Sequence, residues 1–543
     1  MTEKHVAKEA TVQPPCRCAC PAGIDVPRYI RRIREGKFDE ALAVIREKIP
    51  FPSVCGFACY APCEAHCGNR QFGDPIAIRA LKRTAAEKGG DLWRKNLTIA
   101  PATGKKVAVA GSGPSGLTAA YYLALQGHSV TVFEALDEIG GMMRVGIPAY
   151  RLPREALDRE IAYLKEIGVA VKTGERVENA EKLLAEGFDA VYLACGAHKG
   201  ARLGIPGDDL PRVLDGIDFL RRVNQGEKAA VGARVAVIGG GNTAIDAARS
   251  ALRLGAETVE VVYRRTAAEM TAYEEEVGAA LFEGAHIEYL AAPVSVAAEN
   301  GALSVTFIKM ALGKPDDSGR PRPVAQAGSE FTRTYDTVIA AVGQKAVGTA
   351  ELGVELNAGG FVKADAMTSA TGTDGIYAGG DVVSGPASII DAIAQGRRAA
   401  AAVDRYLGGD GVIDQPLTTP EKDVLVLDVA SAPRVTMPCI SLDERTCSFA
   451  AVELGLSEEL AIREAERCRG CDARQFNVTL YGDGCKECSY CVEVCGLGVF
   501  GPAETFNEKG YRPMEVQHAD RCVGCQLCFY ACPDFSIDIE TAV

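Results

Sequence analysis

Two four-cysteine runs near the carboxyl end have a spacing that suits iron–sulfur chemistry. Each run reads Cys-x2-Cys-x2-Cys-x3-Cys. In paired runs of this kind, the fourth cysteine of each run binds the cluster of the other run. The spacing therefore predicts two 4Fe–4S clusters, one held by Cys485, Cys488, Cys491 and Cys532 and the other by Cys522, Cys525, Cys528 and Cys495.

A second cysteine group lies before residue 68. Its members are Cys16, Cys18, Cys20, Cys55, Cys59, Cys63 and Cys67, and the last four repeat every four residues. Thiolates at this density suit iron–sulfur clusters more than zinc, because each cubane iron takes one sulfur and loops must wrap the cluster. A structural zinc site is the alternative interpretation.

Whether the twenty cysteines are metal ligands or form disulfides depends on the cellular location of the protein. The chain has no apolar run of about 18 residues and no signal-peptide core at its start, so we expect a cytoplasmic protein without membrane insertion. Cytosolic thiols stay reduced, which favours metal ligands over disulfides. Of the cysteines outside the clusters, Cys195 is expected to be a core thiol, and Cys439 and Cys447 are expected to be structural.

The net charge of −13 narrows the class of partners. It disfavours nucleic acids and anionic membranes and favours proteins with basic docking faces. The length of 543 residues and the hydrophobic content of 47% indicate a globular chain with several domains.

Residues 105–141 must position the first nucleotide, because they prescribe a strand, a glycine turn, a helix and a second strand. Gly111, Gly113 and Gly116 allow a tight turn and a close approach to a pyrophosphate at the helix amino end. Glu134 ends the second strand, where this kind of unit hydrogen-bonds a ribose hydroxyl. A merely connecting glycine turn is the alternative.

A second unit of the same pattern begins at Arg234. Gly239, Gly241 and Ala244 repeat the turn, but the second strand ends in arginines instead of an acid. Because guanidinium groups pair with a 2′-phosphate, Arg264 and Arg265 favour NADPH here and FAD in the first unit. A solvated strand end is the alternative, which leaves NADH open.

Several further elements are predicted from apolar spacing. We expect helices over residues 26–49, 74–91 and 154–167, a strand over 190–195, and a strand over 336–343 that returns to the flavin domain.

Gly380 and Asp381 follow another apolar strand, just before a helix. This position could bring one carboxylate and a helix terminus to the polar tail of a flavin. A simple capping aspartate is the alternative.

With these residues in view, residues 16–472 resemble the small subunit of bacterial glutamate synthase and its relatives, which are iron–sulfur flavoproteins that use NAD(P)H. The resemblance is carried by the motifs GSGPSG, GIPAYRLP, GGGNTAIDAA, VYRRT and AGGD. It implies that FAD is held by Gly111, Gly113, Gly116, Glu134 and Asp381. It implies that NAD(P)H is held by Gly239, Gly241, Asn242, Thr243, Arg264 and Arg265. Gly141 and Gly380 are further candidate cofactor-binding residues.

The chain departs from the family in one motif. The family's RCxxC pair lies upstream of the other amino-terminal cysteines, whereas the similar pair here, Cys468 and Cys471, follows the flavin domain. We hypothesise that this pair folds back to share a cluster with Cys16 and Cys67. A second cluster would then use Cys20, Cys59 and Cys63, with Cys55 as a candidate fourth ligand, so that one or two clusters involve the amino-terminal cysteines.

The tail from Cys485 resembles the ferredoxin-type delta subunit of 2-oxoacid:ferredoxin oxidoreductases. The supporting residues are NEKGYRP at 507–513 and CVGCQLCFYACPDFSI at 522–537. This resemblance suggests a thiamine-dependent 2-oxoacid oxidoreductase as the partner.

The predicted fold class is α/β, with an NAD(P) domain inserted into an FAD domain, both Rossmann-like. The expected order is a helical iron–sulfur domain (1–100), an FAD domain (101–212 and 336–413) interrupted by the NAD(P) domain (213–335), a linker (414–480) and a ferredoxin-like domain with two 4Fe–4S clusters (481–543).

The predicted function is that of an enzyme subunit that moves electrons between NAD(P)H and a low-potential iron–sulfur partner within a hetero-oligomer. No catalytic side chain is expected, because the cofactors supply the chemistry. The alternatives are a free-standing NADPH:ferredoxin oxidoreductase and a non-catalytic iron–sulfur scaffold.

Overall fold

The structure, a computed structural model, describes residues 6–7, 13–227, 229–316, 319–421, 424–425, 429–430, 432–472 and 476–541. The chain forms two compact units. The first unit comprises Met1–Thr98, Asp414–Pro438 and Gly455–Val543, and the second comprises Ile99–Ile413 and Cys439–Leu454. The predicted linker over 414–480 spans segments that are assigned to both units, and its extent stays a prediction.

The amino-terminal part of the first unit is helical. Its elements are β1 (Val6–Ala7), α1 (Pro15–Cys18), α2 (Val26–Arg34), α3 (Phe38–Arg46), α4 (Pro52–Ala58), α5 (Pro62–Ala65), α6 (Ile78–Lys88) and α7 (Leu92–Asn96). The single helix predicted over 26–49 is wrong. Gly36 adopts a φ of +71°, which ends the helical backbone between α2 and α3. The helix predicted over 74–91 begins only at Ile78.

The second unit begins with alternating strands and helices. They are β2 (Lys106–Ala110), α8 (Pro114–Leu125), β3 (Ser129–Glu134), α9 (Met142–Val145), α10 (Arg154–Glu166), β4 (Ala170–Thr173), α11 (Ala180–Ala185), β5 (Ala190–Leu193) and β6 (Lys199–Gly200). The predicted strand–turn–helix–strand order of the first nucleotide unit and the predicted helix from Arg154 are confirmed.

The middle of the second unit contains a second parallel sheet and an antiparallel one. Its elements are β7 (Val213–Asp215), α12 (Gly216–Asn224), β8 (Arg234–Ile238), α13 (Asn242–Arg253), β9 (Thr258–Tyr263), α14 (Glu274–Phe282), β10 (His286–Tyr289), β11 (Ala291–Glu299), β12 (Ala302–Pro315), β13 (Pro321–Ala325), β14 (Phe331–Tyr335) and β15 (Thr337–Ala340). The parallel sheet has the order β10-β9-β8-β15-β7, and β11 to β14 form the antiparallel sheet.

Strand β15 corrects the prediction for residues 336–343. It lies between β8 and β7 in the second parallel sheet, so it does not return to the flavin domain. The physical reason for the error is that strands buried on both faces of parallel sheets are continuous apolar runs in either sheet. Strand β15 therefore belongs to the same sheet as β7 and β8.

The chain then returns to the first sheet. It forms β16 (Gln344–Lys345), β17 (Ile376–Ala378), α15 (Asp381–Ser384), α16 (Ile389–Tyr406) and α17 (Leu442–Cys447). The first sheet is parallel with the order β17-β5-β2-β3-β4. Because the second sheet is inserted between β5 and β17 in the sequence, the predicted insertion of one Rossmann-like domain into another is confirmed.

The rest of the first unit lies after residue 413. It contains β18 (Val424–Leu425), α18 (Glu458–Ala465), β19 (Phe476–Leu480), α19 (Tyr490–Val494), β20 (Phe500–Pro502), β21 (Met514–Val516), α20 (Leu527–Ala531) and β22 (Ile537–Thr541). Antiparallel pairs join β1 to β18, β19 to β22, and β20 to β21. Among the described helices, none is both long and apolar enough to cross a bilayer.

A buried ion-pair network fixes the GIPAYRLP segment to α13 within the second unit. Arg151 donates to both carboxylate oxygens of Asp246, at 3.0 and 2.7 Å, and pairs with Glu276 at 2.9 Å. The guanidinium of Arg253 lies 3.9 Å from the ring centroid of Tyr150. Burial raises the pKa of Asp246, and Arg151 opposes that rise. The network therefore holds one nucleotide-binding domain against the other.

Replacing Arg151 by methionine tests this network. The change leaves the Asp246 carboxylate buried without its closest cation, so we expect the free energy of unfolding to fall by about 3–5 kcal/mol. Chemical denaturation under anaerobic, reducing conditions measures it. The matched control is Arg234→Met, which breaks a half-exposed pair with Asp336 and is expected to cost at most about 1 kcal/mol. Equal losses in the two variants would contradict the assignment.

Candidate nucleotide and iron–sulfur sites

The first glycine loop leaves room for a phosphate where a side chain would otherwise lie. Gly111 has a φ of +110°, and a β-carbon on it would collide with the carbonyl oxygen of Ala194. A β-carbon on Gly116 would collide with the carbonyl oxygen of Gly111. Gly113, at the amino end of α8, has open space around its missing β-carbon. The loop is therefore closed on its protein side and open at the helix terminus, as a pyrophosphate site requires.

Glu134 lies beside this loop at the end of β3. Its carboxylate is 5% exposed and accepts hydrogen bonds from the Ser112 backbone N–H at 2.9 Å and the Ser112 hydroxyl at 2.5 Å. A cavity of about 320 Å³ is lined by Gly111, Gly113, Glu134 and residues that follow β5, among them Ala194 and His198. The loop, the acid and the cavity thus fit the adenosine end of a dinucleotide. Ser112, which holds the carboxylate in place, had no signal in the sequence pattern.

The glycine pair that precedes α9 closes over the same loop. A β-carbon on Gly141 would lie 2.8 Å from the Cα of Gly113. The backbone N–H of Gly140 donates to the Ser112 hydroxyl at 3.0 Å. The structure therefore brings Gly141 to the candidate phosphate loop.

Gly380 and Asp381 also reach the start of α8. A β-carbon on Gly380 would lie 2.9 Å from the Cβ of Ser115 in the first turn of α8. Asp381 begins α15, and its carboxylate accepts a hydrogen bond from the Ala387 N–H at 3.3 Å. Burial raises the pKa of Asp381 to about 6. A buried carboxyl group with so few donors suits a hydroxyl or N–H donor supplied by a ligand.

The second glycine loop repeats the first. A β-carbon on Gly239 would collide with the carbonyl oxygen of Ala341, just as Gly111 abuts Ala194. Gly241 caps α13, and the Asn242 side chain accepts a hydrogen bond from the Tyr273 N–H at 3.0 Å. Thr243 is hydrogen-bonded to the Gln344 amide at 3.3 Å. These contacts fit a second phosphate site.

The two candidate arginines differ. Arg265 is 3% exposed, and its guanidinium pairs with Asp316 at 2.6 Å and donates to the Pro321 carbonyl at 2.8 Å. Arg264 is exposed, and its side chain makes no hydrogen bond or ion pair to any residue that the structure describes. Arg265 thus contacts the β12–β13 hairpin, whereas Arg264 faces solvent, and the pairing of either arginine with a 2′-phosphate stays a prediction.

The Cys468/Cys471 pair lies beside two amino-terminal cysteines. Burial raises the pKa of the Cys16 thiol well above its usual value, and neighbouring thiols raise it further. These neighbours are Cys471, Cys67, Cys468 and Cys63. We call Cys16, Cys67, Cys468 and Cys471 the shared set. The Cys468/Cys471 pair thus lies near Cys16 and Cys67 in the structure, and the hypothesis that these four share a cluster stays a prediction.

Charged residues around the pair anchor it to the amino-terminal helices. The Arg31 guanidinium makes two 2.8 Å hydrogen bonds to Asp472, and both side chains are buried. Arg467 donates to the carbonyl oxygen of Asp74 at 2.8 Å. Arg469 lies 3.3 Å from the ring centroid of Phe72. Spacing along the sequence gave no signal for these contacts, because they join residues nearly 400 or more positions apart.

Four more cysteines surround a buried lysine. Lys82 is 2% exposed, and its pKa is lowered by burial but raised overall by nearby thiols. These thiols belong to Cys59, Cys55, Cys63 and Cys20. We call Cys20, Cys55, Cys59 and Cys63 the amino-terminal set. An ammonium group in this position stabilises thiolates, which suits an anionic cluster. Lys82 was missed in the sequence, where it is one of many helical cations.

At one place the two carboxyl-terminal runs share a group of thiols. The fourth cysteine of the first run, Cys495, lies near Cys528 of the second run. Burial and the thiols of Cys495, Cys525 and Cys522 raise the pKa of Cys528 to about 12. We call these four cysteines the second-run set. We call the remaining four, Cys485, Cys488, Cys491 and Cys532, the first-run set. Burial and the thiols of Cys485 and Cys488 raise the pKa of Cys491 to about 11.

Backbone N–H groups donate to sulfurs of these runs. Met514 donates to Cys485 at 3.4 Å and Ser536 donates to Cys532 at 3.3 Å. Such donors stabilise thiolate sulfur and tune cluster potentials. The residues thus fit clusters. Across the described ranges, no group of three His, Cys, Asp or Glu side chains is arranged to bind a single metal ion. The cysteine sets are therefore assigned from their neighbouring thiols.

The remaining cysteines lie apart from these sets. Burial raises the pKa of Cys195 to about 11, which agrees with an unreactive thiol. Cys18, Cys439 and Cys447 are exposed.

Comparison with known proteins gives three family matches. The pyridine nucleotide-disulphide oxidoreductase model matches residues 105–396. The model for dihydropyrimidine dehydrogenase domain II, 4Fe-4S cluster, matches residues 5–91. The 4Fe-4S dicluster domain model matches residues 484–535.

Three curated relatives cover most of the chain. The chain is 39% identical to the NADP(+)-dependent formate dehydrogenase subunit beta of Moorella thermoacetica, over 87% of this chain and 72% of that protein. It is 38% identical to the NADPH-Fe(3+) oxidoreductase subunit beta of Geobacter sulfurreducens, over 84% and 75%. It is 34% identical to the glutamate synthase [NADPH] small chain of Halomonas elongata, over 73% and 88%.

Replacing Gly116 by alanine tests the first loop. The added β-carbon collides with the Gly111 carbonyl and displaces the phosphate-binding backbone, so we expect FAD affinity to fall about tenfold or more. Flavin content and titration of the stripped protein measure it. Ala244→Gly is the matched control, since the second loop already has alanine at this position, and it should leave FAD binding unchanged. Normal FAD affinity in Gly116→Ala would contradict the assignment.

Replacing Cys468 and Cys471 by serine tests the shared set. We expect the loss of one cluster, about four iron atoms per chain. Iron and sulfide analysis of anaerobically purified protein measures the loss. The matched control is Cys439→Ser with Cys447→Ser, which removes two exposed thiols and should keep all the iron. An unchanged iron content in the Cys468/Cys471 variant would refute the fold-back of this pair.

Proposed function

The chain belongs to the pyridine nucleotide-disulphide oxidoreductase family, and on this premise we propose that it carries electrons between NADPH and the acceptor or donor of a partner subunit. It is an FAD- and NAD(P)H-dependent oxidoreductase with 4Fe–4S domains at both ends. The observation that carries the proposal is the clustering of cysteine thiols around Cys16, Lys82 and Cys528 in a chain with two complete glycine loops.

The proposal assigns the nucleotide-binding roles as follows. When bound, FAD supplies the chemistry that exchanges a hydride with nicotinamide and single electrons with the iron–sulfur clusters. Its pyrophosphate is bound by the backbone of Gly111 and Gly113 and by the amino end of α8. Glu134 accepts a hydrogen bond from a ribose hydroxyl. Gly141 and Gly380 keep the site closed by permitting close contact with the loop and the start of α8. Asp381 accepts a hydrogen bond from a donor group of the ligand.

The second loop is assigned to NADPH. Gly239 and Gly241 bind its pyrophosphate at the start of α13, with Asn242 and Thr243 held in place by Tyr273 and Gln344. Arg264 is the residue proposed to pair with the 2′-phosphate, because its side chain is exposed at the end of β9.

The cysteine sets are assigned to one 4Fe–4S cluster each. Lys82 acts on the amino-terminal set by opposing its negative charge, which favours the reduced cluster. Arg31, Arg467 and Arg469 position the shared set through Asp472, the Asp74 carbonyl and Phe72. These residues orient ligands and exclude water, and none of them takes part in bond making.

The domain order that we propose differs from the expected one at two points. The NAD(P) domain extends through β15, to residue 340, and residues 414–438 and 455–472 belong with the amino-terminal helices. The carboxyl-terminal ferredoxin-like domain begins at β19.

The partner is proposed to be a subunit that holds the substrate chemistry. Two relatives are named as beta subunits, of a formate dehydrogenase and of an Fe(3+) oxidoreductase. They favour a multisubunit oxidoreductase. A 2-oxoacid oxidoreductase remains the finer proposal, supported by the likeness of the tail. Strictly anaerobic purification from the native cell tests it: co-eluting thiamine-binding subunits would support it, and a lone protein that reduces ferredoxin would favour the free-standing reductase.

Nucleotide preference tests the assignment of Arg264. We expect NADPH to bleach the bound flavin faster than NADH under anaerobic conditions. Arg264→Ala should raise the KM for NADPH about 10-fold or more while leaving that for NADH unchanged, because a charge-assisted contact of about 1.5–3 kcal/mol is lost. Arg234→Ala, at the far end of β8, is the matched control. Equal rates with both nucleotides in the unaltered protein would contradict the preference for NADPH.

A further inference from the structure

Two cysteine-bearing loops of the first unit meet at Gly68. This residue follows Cys67 and begins the short turn Gly68–Gln71. A β-carbon on Gly68 would lie 2.9 Å from the Cγ1 of Val523 and 3.2 Å from the Sγ of Cys471. Val523 lies between Cys522 and Gly524 and is 5% exposed. The loop that carries a second-run cysteine therefore rests directly on the loop of the shared set.

A second contact joins the same two sets. Gly496 follows Cys495, the fourth member of the second-run set. A β-carbon on Gly496 would lie 2.9 Å from the Nε2 of Gln71, at the end of the turn that Gly68 begins. Both parts of the second-run set thus approach one turn of four residues.

The described contacts of the first-run set are different. Cys485 and Cys532 accept hydrogen bonds from Met514 and Ser536, which belong to the carboxyl-terminal domain itself. Gly484, which precedes Cys485, lies against the Ser536 hydroxyl. Cys522 of the second-run set also accepts a hydrogen bond within this domain, from the Gly524 N–H at 3.5 Å. The difference is that the second-run set lies in addition against the shared set, which none of the described first-run contacts does.

We propose that the contact between Val523 and Gly68 is the junction between the amino-terminal and carboxyl-terminal iron–sulfur sites. Of the two carboxyl-terminal sets, the second-run set is then the nearer to the shared set and the first-run set the farther. The proposal rests on the proposed function only in that the sets must hold clusters. It makes Gly68 and Val523 positioning residues: they set the separation of two cysteine sets without ligating either.

The loop of Val523 has little freedom to retreat. A β-carbon on the neighbouring Gly524 would collide with the ring of Phe476 in β19, so this side of the loop is filled. On the other side, Gly68 lies against Cys471. A methyl group at Gly68 must therefore push the two cysteine loops apart.

Electron paramagnetic resonance of the full-length, cluster-loaded protein tests the junction. After reduction by dithionite, the signal of the cluster proposed for the shared set should be broadened by magnetic interaction with a reduced cluster in the second-run set. We expect Cys525→Ser to remove that component and Cys488→Ser, at the matching position of the first run, to retain it. Loss of the component in Cys488→Ser with retention in Cys525→Ser would reverse the order of the sets.

Gly68→Ala keeps every proposed ligand and thus tests the contact itself. We expect the broadening component to weaken, and Gly68→Ala with Val523→Ala to restore part of it by removing the Cγ1 atom. Gly278→Ala, where a β-carbon meets open space in α14, is the matched control. An unchanged component in Gly68→Ala at full iron content would overturn the proposal.

The two proposals can fail separately. Broadening with the predicted pattern in a protein whose flavin NADPH does not bleach would reject the proposed function and retain the junction. NADPH bleaching in a fully loaded protein without the broadening component would reject the junction and retain the function.

Discussion

Close packing against glycine is the constraint on which both units depend. In each parallel sheet the first glycine of the turn abuts a carbonyl just past a neighbouring strand, Ala194 for Gly111 and Ala341 for Gly239. A β-carbon at Gly111 would separate the turn from the end of β5, and one at Gly239 would separate it from the end of β15. A related constraint acts between cysteine loops at Gly68, where the missing β-carbon leaves room for the side chains of Val523 and Cys471. Nucleotide loops and cluster loops therefore both depend on a glycine that leaves room for a neighbour, a carbonyl in the first case and side chains in the second.

Buried charge supplies the specificity that glycine contacts lack. Arg31 with Asp472 and Arg151 with Asp246 each join segments far apart in sequence, and each pair is nearly solvent-free. Breaking one partner of such a pair is costly, whereas the intact pair adds little net stability. The ion pairs thus fix the arrangement of the segments that they join. Because Asp472 pairs with Arg31, the adjacent Cys471 is held near the amino-terminal cysteines.

The sequence allowed the local elements and the ligand types to be predicted, but not the long-range pairings. The turn from β2 to α8 and the helix from Arg154 follow from residue types within a few positions. The order of strands does not, and β15 was assigned to the wrong sheet because its apolar run suits either. The contact of Arg265 was not predicted for a similar reason, since its partner Asp316 lies 51 residues away on a hairpin that has no nucleotide-binding signature.

The two carboxyl-terminal runs show how far ligand geometry governs backbone shape. Left-handed residues recur at matching places: Glu487 and Gly524, Ser489 and Gln526, Gly498 and Phe535. Four of these six are not glycine, and each costs about 1–2 kcal/mol in this conformation. Sequence preference alone would not select such a backbone, whereas wrapping a cluster with adjacent thiolates requires it. Cluster binding therefore offsets the strain, and the folding of this domain is coupled to the assembly of its clusters.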